Sequence, residues 1–195
     1  ERAIVTARNP DDVADIAARH PDRAIALPLD VTDQGQIDAA IAAGEARFGA
    51  IDILVNNAGY GYVTSIEEGD IDQVKAMFDV NAFGALRMMK AVLPAMRARR
   101  SGCILTISSL AGRISNPATG YYSSSKYALE AISEALAHEV AGFGIRVCSI
   151  APGMFRSDFS GRSLKTGDAG IADYNDGAHA RMALVRSVDG RQTGD

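Results

Sequence analysis

The chain has 195 residues, of which 47% are hydrophobic and 23% charged, so it contains enough apolar material for the core of one domain. A formal net charge of −4 argues against a basic surface for nucleic acid, and the basic cluster at residues 97–100 is expected to be a solvated helix end. No apolar run reaches the length of a membrane span and no secretory signal precedes the first strand, so we expect a cytoplasmic protein without a membrane partner.

Five short apolar runs are typical of β-strands, and they cover residues 3–7, 24–29, 51–55, 103–107 and 145–150. Strands that alternate with helical patterns along a chain form a parallel sheet with helices on both faces. The sequence therefore predicts one α/β domain over residues 1–195. The run that contains Pro28 is expected at a sheet edge, because proline has no N–H to donate to a second neighbour.

The first two helices have recognisable starts. Asn9, Pro10 and Asp11 supply a cap, a first-turn proline and an acid near the positive end of the helix dipole. Thr32 is expected to cap the second helix. The apolar stripe of that second helix consists of Ile37, Ile41 and Phe48.

Two longer helical patterns follow. Residues 71–99 contain Gly84 and Pro94, which predict a bend or break. Residues 123–141 form one helix with the apolar stripe Leu129, Ile132, Leu136 and Val140. Residues 157–170 are polar and rich in glycine, so we expect a mobile loop there, within a mobile substrate region that extends to residue 183.

Cysteine and histidine give no sign of a metal site. Cys103 and Cys148 each lie in a predicted strand, without a second cysteine at ligand spacing, and are expected to be buried free thiols. His20, His138 and His179 are scattered and lack ligand-spaced partners, so we interpret them as surface or packing residues.

Four polar residues predict a catalytic site. Tyr122 and Lys126 are four residues apart, and in a helix they lie one turn apart on the same face. A tyrosine pKa is near 10, and an ammonium about 4 Å away stabilises the phenolate by roughly 4 kcal/mol, enough to bring that pKa close to neutrality. Ser109 ends a predicted strand, where its hydroxyl can bond the oxygen of a carbonyl undergoing reduction. With Asn81 upstream, these residues make hydride transfer the leading hypothesis.

Further motifs occur at the ends of the predicted strands. They are Asp30-Val31-Thr32 after the second run, Asn56-Asn57-Ala58-Gly59 after the third, and Pro152-Gly153 after the fifth. In order and spacing, these motifs together with Ser109, Tyr122, Lys126 and Asn81 resemble the short-chain dehydrogenase/reductase family over nearly the whole chain. The resemblance implies a Rossmann-like doubly wound sheet and an NAD(P)-dependent oxidoreductase.

The resemblance also implies a role for each polar residue. Tyr122 is the acid/base that acts on the substrate oxygen, and Lys126 lowers the tyrosine pKa and bonds the nicotinamide ribose. Ser109 orients the substrate oxygen, with Ser108 as the alternative if the register differs by one residue. Asn81 holds a water that links Lys126 to solvent, although a local helix bend also accounts for an asparagine at this position.

Dinucleotide contacts follow from the same resemblance. Asp30 accepts a hydrogen bond from the adenine amino group, Val31 packs on the adenine ring, and Asn56 chiefly holds the central strands together. The remaining contacts are assigned to Asn57, Ala58, Gly59, Pro152, Gly153 and Ser157, with Ser157 beside the nicotinamide carboxamide.

Cofactor choice depends on Ala7 and Arg8 at the end of the first predicted strand. Enzymes that prefer NAD(H) present an acid here for the ribose 2′-hydroxyl, whereas Ala7 offers none and Arg8 can pair with a 2′-phosphate. We therefore expect NADP(H) to be preferred, with NAD(H) possible, and a solvated arginine is the competing interpretation of Arg8.

An apolar substrate pocket is a further expectation. Its candidate lining is Leu110, Ile114, Pro117, Met154 and Phe155, and each is equally well interpreted as a core residue. Such a pocket suits a small apolar ketone or aldehyde and its secondary alcohol. The resemblance implies a homodimer or homotetramer built from the helices at residues 71–99 and 123–141.

Members of that family begin with a strand, a glycine-rich turn and a helix that receives the cofactor pyrophosphate. The first residues here match the family's second strand instead, and the family continues beyond the equivalent of residue 195. We therefore expect a truncated copy of a longer enzyme, which by itself binds cofactor weakly and turns over little. A non-catalytic protein that senses a dinucleotide or binds a partner, and an inactive fragment, are the competing hypotheses.

Overall fold

Every strand that the structure describes runs parallel to its neighbour. The computed structural model describes residues 1–157, 159, 161–192 and 194. The strands are β1 Ala3–Ala7, β2 Ala24–Pro28, β3 Ile53–Asn56, β4 Gly61–Val63, β5 Gly102–Ile107, β6 Ile145–Ile150 and β7 Leu164–Thr166. The α-helices are α1 Ala14–Arg19, α2 Gln34–Phe48, α3 Ile71–Phe78, α4 Ala85–Arg99, α5 Gly120–Val140 and α6 Ala180–Ser187.

Within the described residues the strands form three sheets, with the orders β1-β2, β3-β5-β6 and β4-β7. The five predicted strands are confirmed, with ends close to those expected, and the parallel strands with helices around them confirm the α/β class. Pro28 ends β2, whose described partner is β1 alone, in agreement with an edge position. The strands β4 and β7 escape the sequence pattern because three residues are too few to show a period.

The sheet β3-β5-β6 is covered by helices on one face. On that face Leu54, Ile104 and Val147 join the largest apolar cluster, to which α2, α4 and α5 contribute. Alternate side chains of a strand point to the opposite face, and there Ile53 and Val55 are 52% and 54% exposed.

Both cysteines are free thiols, as expected. The expectation that both are buried is wrong, because Cys148 is exposed and Cys103 only partly covered. Cys148 pairs in register with Leu105, and Cys103 with Ile53, so both thiols lie on the sheet face that the helices leave open.

The predicted interruption of residues 71–99 is confirmed. A π-helical turn, Asp79–Gly84, separates α3 from α4, whereas Pro94 lies inside α4 without ending it. The widened turn carries Asn81, whose side chain is fully buried. Single π-turns of this kind often occur at functional sites, because they redirect one side chain out of the regular helix pattern.

The structure tests the two helix caps that the sequence predicts. Asn9 caps the first helical turn as expected, through a hydrogen bond to its side chain. The prediction that Thr32 caps α2 is wrong, because Asp33 Oδ1 accepts the hydrogen bond from the N–H of Gln36 at 3.1 Å. The Thr32 hydroxyl instead donates to Asp30 at 2.7 Å.

The region after β6 contains regular structure. It includes β7, a 3₁₀ turn at Ala172–Tyr174, a π-helical turn at Asn175–His179 and α6. Positions 158 and 160 of the expected mobile loop lie outside the described residues, and its mobility stays a prediction.

Candidate active site

The loops that follow β5 and β6 are held together by backbone hydrogen bonds. The N–H of Ser108 donates to the carbonyl of Ile150 at 2.8 Å, and the N–H of Leu110 donates to that of Pro152 at 2.9 Å. Asn56, the last residue of β3, lies at the same carboxyl edge of the sheet. Ligands of parallel α/β sheets bind at this edge. The two hydrogen-bonded loops therefore form a rigid surface on which a ligand can bind.

Ser109 is held in one orientation just after β5. Its Oγ accepts a hydrogen bond from the N–H of Ala111 at 3.1 Å, and its side chain is close enough to the phenol of Tyr122 to lower the pKa of that group. Ser108 is only 4% exposed, and its Oγ has no hydrogen-bond partner among the residues that the structure describes. The geometry therefore favours Ser109 over Ser108 as the serine beside a substrate oxygen.

Tyr122 lies in the first turn of α5, since this helix starts three residues earlier than the sequence indicates. Its ring packs against that of Phe159, with 5.5 Å between the ring centroids. Burial raises the pKa of the phenol above its ordinary value, and the hydrogen bond to Ser109 opposes this only in part. At neutral pH Tyr122 is therefore a neutral phenol, the form that donates a proton.

Lys126 is one turn further along α5 and only 5% exposed. Its Nζ donates to the carbonyl oxygen of Ile107 at 2.9 Å. Burial lowers the pKa of the ammonium from 10.5 to about 8, and the negative charge of Glu130 opposes this. The side chain is therefore charged at neutral pH and loses its charge as the pH rises through about 8.

The expected effect of Lys126 on the pKa of Tyr122 is absent from this structure. The two side chains share one face of α5, as their spacing predicts, and Nζ lies 5.9 Å from the centroid of the tyrosine ring. The ammonium is bonded to Ile107, and the desolvation of the phenol is the largest influence on its pKa. The expectation of an acidified phenol is therefore wrong for this state of the site, because burial is not visible in the spacing of two residues.

Asn81 anchors the loop that follows β3. Its Nδ2 donates to the carbonyl of Tyr60 at 2.9 Å and to Ser125 Oγ at 3.0 Å, while its Oδ1 accepts from the N–H of Tyr60 at 2.9 Å. Both Nδ2 hydrogens are thus used within the protein. The contacts join the π-helical turn to α5 one residue before Lys126, and the proposed water relay stays a prediction.

The residues expected at the adenine end lie after β1 and β2. Asp30 Oδ1 accepts from the N–H and the hydroxyl of Thr32, and these bonds lower the pKa of the Asp30 carboxyl. Arg8 is exposed and close enough to lower that pKa further. Val31 is partly buried and packs so closely on Gly84 that a Cβ there would collide with it. Arg8 and a charged Asp30 therefore lie close together after β1 and β2.

The loop after β3 gives open access to the backbone near the lysine. Asn57 and Ala58 are exposed, and a Cβ on Gly59 would lie 3.1 Å from Asn81 Oδ1 and 3.5 Å from Lys126 Nζ. Glycine at this position therefore avoids a contact with the Asn81 amide that would be tighter than ordinary packing, and it adds no side chain beside the ammonium.

The remaining dinucleotide residues lie as follows. Gly153 and Ser157 are exposed and Pro152 partly buried, all beyond the carboxyl end of β6. Asn56 is buried, but its Nδ2 has no hydrogen-bond partner within the described part of the chain. The structure thus shows no strand-bridging bond from the Asn56 amide, and its structural role stays a prediction.

The apolar residues assigned to the substrate pocket are exposed. Leu110, Ile114, Met154 and Phe155 expose between 49% and 53% of their surface, and Pro117 is exposed as well. Large apolar side chains with this exposure are not core residues, which removes the competing interpretation. They surround the carboxyl edge from two loops, after β5 and after β6.

Sequence reasoning missed two contacts of Tyr122 and Lys126. The ring of Phe159 covers Tyr122, and the carbonyl of Ile107 holds Lys126. No local pattern indicates either contact. Glu130, whose charge acts on Lys126, was visible as an acid four residues along the same helix.

The described residues contain neither a candidate metal site nor a candidate membrane-spanning helix. No group of three or more histidine, cysteine, aspartate or glutamate side chains is arranged for a metal ion. In the same part of the chain, no helix combines the length and the apolar character that crossing a membrane requires.

Comparison with known sequences gives one family. The sequence model described as short chain dehydrogenase matches residues 1–167. Oxidoreductase BOA17 of Botryotinia fuckeliana is 39% identical over 166 residues, which cover 85% of this chain and 61% of that protein. The 3-ketodihydrosphingosine reductase of Bacteroides thetaiotaomicron is 40% identical over 164 residues, with 84% and 61% covered. The chain thus spans about three fifths of the length of these curated relatives.

Solved structures agree with the sequence matches. A short-chain dehydrogenase from Streptomyces avermitilis superposes on 100% of this chain with a TM-score of 0.91 and 40% identity, while 70% of that protein is covered. A gluconate 5-dehydrogenase from Burkholderia cenocepacia, solved in complex with NADP and tartrate, gives a TM-score of 0.76 at 32% identity, with 81% and 63% covered. On sequence and on structure alike, the chain belongs to the short-chain dehydrogenase family.

Proposed function

We propose that the complete protein is an NADP(H)-dependent oxidoreductase that interconverts a ketone or aldehyde with its alcohol. The observation that carries the proposal is the assembly of Ser109, Tyr122 and Lys126 at the carboxyl edge of the sheet, where the Ser109 side chain acts on the pKa of the Tyr122 phenol and Lys126 Nζ lies 5.9 Å from the centroid of its ring. The test is the consumption of NADPH by the protein expressed from its complete coding sequence, with a panel of ketones. Family membership supports a bound dinucleotide.

Each residue of this assembly has a separate task. A reduced nicotinamide, when bound, supplies the hydride. Tyr122, a neutral phenol, donates its proton to the substrate oxygen in reduction and accepts it in oxidation. Ser109 donates a hydrogen bond to the same oxygen, where negative charge develops. Lys126 is placed to bond the nicotinamide ribose, and in the liganded site its positive charge stabilises the phenolate that remains after proton transfer, an effect absent from the pKa of Tyr122 in the site described above.

The rate of ketone reduction is expected to depend on pH through Lys126. Its pKa of about 8 means that the ammonium is present at neutral pH and lost above that value, whereas Tyr122 keeps its proton because its own pKa is raised. Initial rates should therefore be level near neutrality and fall above about pH 8. Glu130→Gln should move this fall to lower pH, since Glu130 raises the lysine pKa. A rate that stays level to about pH 10 in both proteins contradicts the assignment.

Preference for NADP(H) is the second part of the proposal. Arg8 is exposed beyond β1 and close to Asp30, and Ala7 presents no carboxylate to a ribose 2′-hydroxyl. The gluconate 5-dehydrogenase relative was solved with NADP, which supports the same choice. NAD(H) use at lower efficiency remains compatible with this site.

Ala7→Asp is expected to change the ratio of NADPH to NADH efficiency by about tenfold or more toward NADH, because the new carboxylate repels a 2′-phosphate and accepts from a 2′-hydroxyl. The measurement is kcat/KM for each cofactor with one ketone. Arg2→Gln, which removes an exposed charge at the opposite end of β1, is the matched control and should leave the ratio unchanged. An unchanged ratio in Ala7→Asp contradicts the assignment of this strand end.

The substrate class is the third part. Four half-exposed apolar side chains around the carboxyl edge suit an apolar carbonyl compound, and the relative named 3-ketodihydrosphingosine reductase is consistent with one. The ketone panel should show higher kcat/KM for long-chain or ring ketones than for polar ones of equal size.

We also propose a homodimer or homotetramer for the complete protein, which analytical ultracentrifugation tests.

A further inference from the structure

A buried carboxylate joins two distant parts of the chain. Glu68 lies in the loop between β4 and α3, and its carboxylate meets the hydroxyl of Ser65 at 2.5 Å, the N–H groups of Gly170 and Ile171 at 2.8 Å each, and Nε2 of His179 at 2.8 Å. Three of these four partners belong to residues 164–187, which we call the strap. The strap comprises β7, the turns that follow it and α6.

The Glu68 network is well shielded from water. The side chains of Glu68 and His179 are 5% and 11% exposed, which agrees with the interpretation of His179 as a packing residue. The hydrogen bond from Ser65 and those from the strap lower the pKa of Glu68 to about 2, which keeps it ionised at neutral pH. Hydrogen bonds to an ionised acceptor are stronger than neutral ones, and losing a buried acceptor leaves its donors unsatisfied.

The opposite side of the same loop rests on the start of α5. The Tyr121 hydroxyl donates to the carbonyl of Ile66 at 2.7 Å, and the Tyr121 ring packs so closely on Gly69 that no Cβ would fit there. Tyr121 precedes Tyr122 directly. The loop at residues 65–69 therefore contacts the strap on one side and the first turn of α5, which carries Tyr122, on the other.

The strap also contacts the entry of α5 directly. Ala118 has a φ of 64°, a conformation that costs energy for a residue with a Cβ. Its methyl is buried in a cluster with Val63, Ala178 and Met182, and two of these three belong to the strap. Its carbonyl accepts from the N–H of Thr64 at 2.9 Å. A strained residue before Tyr122 is thus held in place by packing that the strap supplies.

From these contacts we infer that Glu68 is a positioning residue, which locks the strap onto the loop at residues 65–69 and thereby fixes the first turn of α5 with Tyr122. The lock itself depends only on the contacts described. Its effect on turnover rests on the proposed function.

Hydrogen exchange tests the lock without any need for activity. In the full chain, Glu68→Gln keeps the size of the side chain but removes its charge and places an N–H₂ group among donors. The amides of Gly170 and Ile171 should then exchange about tenfold or more faster, while those of β5 keep their rates. Asp72→Asn, which removes an exposed acid of α3 paired with Lys75, is the matched control and should leave both regions unchanged. Unchanged exchange at Gly170 and Ile171 in Glu68→Gln overturns the lock.

A second variant guards against a folding defect. His179→Gln removes one strap contact and leaves those of Ser65 and the two backbone amides, so exchange in the strap should rise by a smaller factor. Should Glu68→Gln fail to fold, unchanged strap exchange in His179→Gln overturns the lock, and faster exchange confined to the strap supports it.

Kinetics test the link to the active site in the protein expressed from its complete coding sequence. Glu68→Gln should lower kcat for ketone reduction about tenfold and change KM for the ketone by less than about threefold, because a loosened first turn of α5 misplaces the proton donor more than it weakens substrate binding. Glu68→Asp, which keeps the charge, should recover part of the loss. Faster strap exchange with unchanged kcat overturns the positioning role while leaving the lock. An inactive wild type instead overturns the proposed function, and hydrogen exchange still decides on the lock.

Discussion

Tyr122→Phe is expected to lower kcat for ketone reduction by about 100- to 10,000-fold, the usual contribution of a positioned acid/base. The variant removes the phenolic proton, while its ring still packs against Phe159. Binding of NADPH and the thermal stability should therefore change little. The measurement is NADPH consumption under saturating ketone, with the protein expressed from its complete coding sequence.

Tyr127→Phe is the matched control for this variant. Tyr127 lies on the same helix, is 45% exposed, and its hydroxyl donates to the backbone of Arg113 rather than facing the site. Its removal should leave kcat within about twofold of wild type. Equal rates for Tyr122→Phe and Tyr127→Phe would end the assignment of the proton donor.

Lys126→Met is expected to abolish most turnover without destabilising the protein. Burial lowers the pKa of Lys126 from 10.5 to about 8, so the charged form costs the native state roughly 3 kcal/mol at neutral pH. Methionine keeps the apolar stem but leaves the Ile107 carbonyl without its donor, which costs about 1 to 3 kcal/mol. The net change should be a gain of about 0 to 2 kcal/mol in the free energy of unfolding, with kcat reduced about 100-fold or more.

The difference in the free energy of unfolding between Lys126→Met and the wild type depends on pH. Between about pH 8 and 10.5 the unfolded chain keeps a proton on Lys126 that the native state has released, so wild-type stability rises with pH in that window. The advantage of Lys126→Met should thus be complete below about pH 8 and vanish near pH 10.5. Urea unfolding at neutral pH and near pH 10 measures it, with the exposed Lys75→Met as control. A loss of several kcal/mol at neutral pH would show that burial of the ammonium is not costly.

The same argument separates the catalytic hypothesis from a non-catalytic sensor. A buried ammonium that costs stability is expected where proton transfer needs its charge, because proteins keep destabilising groups at functional sites. A dinucleotide sensor has no use for Ser109, Tyr122 and Lys126 assembled at one site. Loss of turnover together with gained stability in Lys126→Met would favour the enzyme.

Sequence reasoning reached the parts of the site that depend on local geometry. Tyr122 and Lys126 share a face because four residues make one helical turn, and Ser109 meets them because parallel strands end at one edge. The break at Asp79–Gly84 followed from a glycine in a helical pattern. These features need no knowledge of what packs against them.

Features set by tertiary burial could not be predicted. The raised pKa of Tyr122 reflects desolvation by surrounding structure, and no spacing reports desolvation. The contact of Glu68 with His179 joins residues 111 positions apart, and neither neighbourhood in sequence points to the other. Asp33, and not Thr32, caps α2. Both residue types are good helix caps, and the local backbone conformation decides which of them acts as one.

The central claim is that Ser109, Tyr122 and Lys126 serve reduction of a carbonyl by a nicotinamide. The direct measurement is the mass of the alcohol formed when the protein from its complete coding sequence reduces a ketone with NADPH deuterated at the transferred position. An alcohol that carries one deuterium on the former carbonyl carbon, formed by the wild type and not by Tyr122→Phe, is the predicted result. Absence of labelled alcohol from every ketone of the panel, with NADPH bound, would contradict the account.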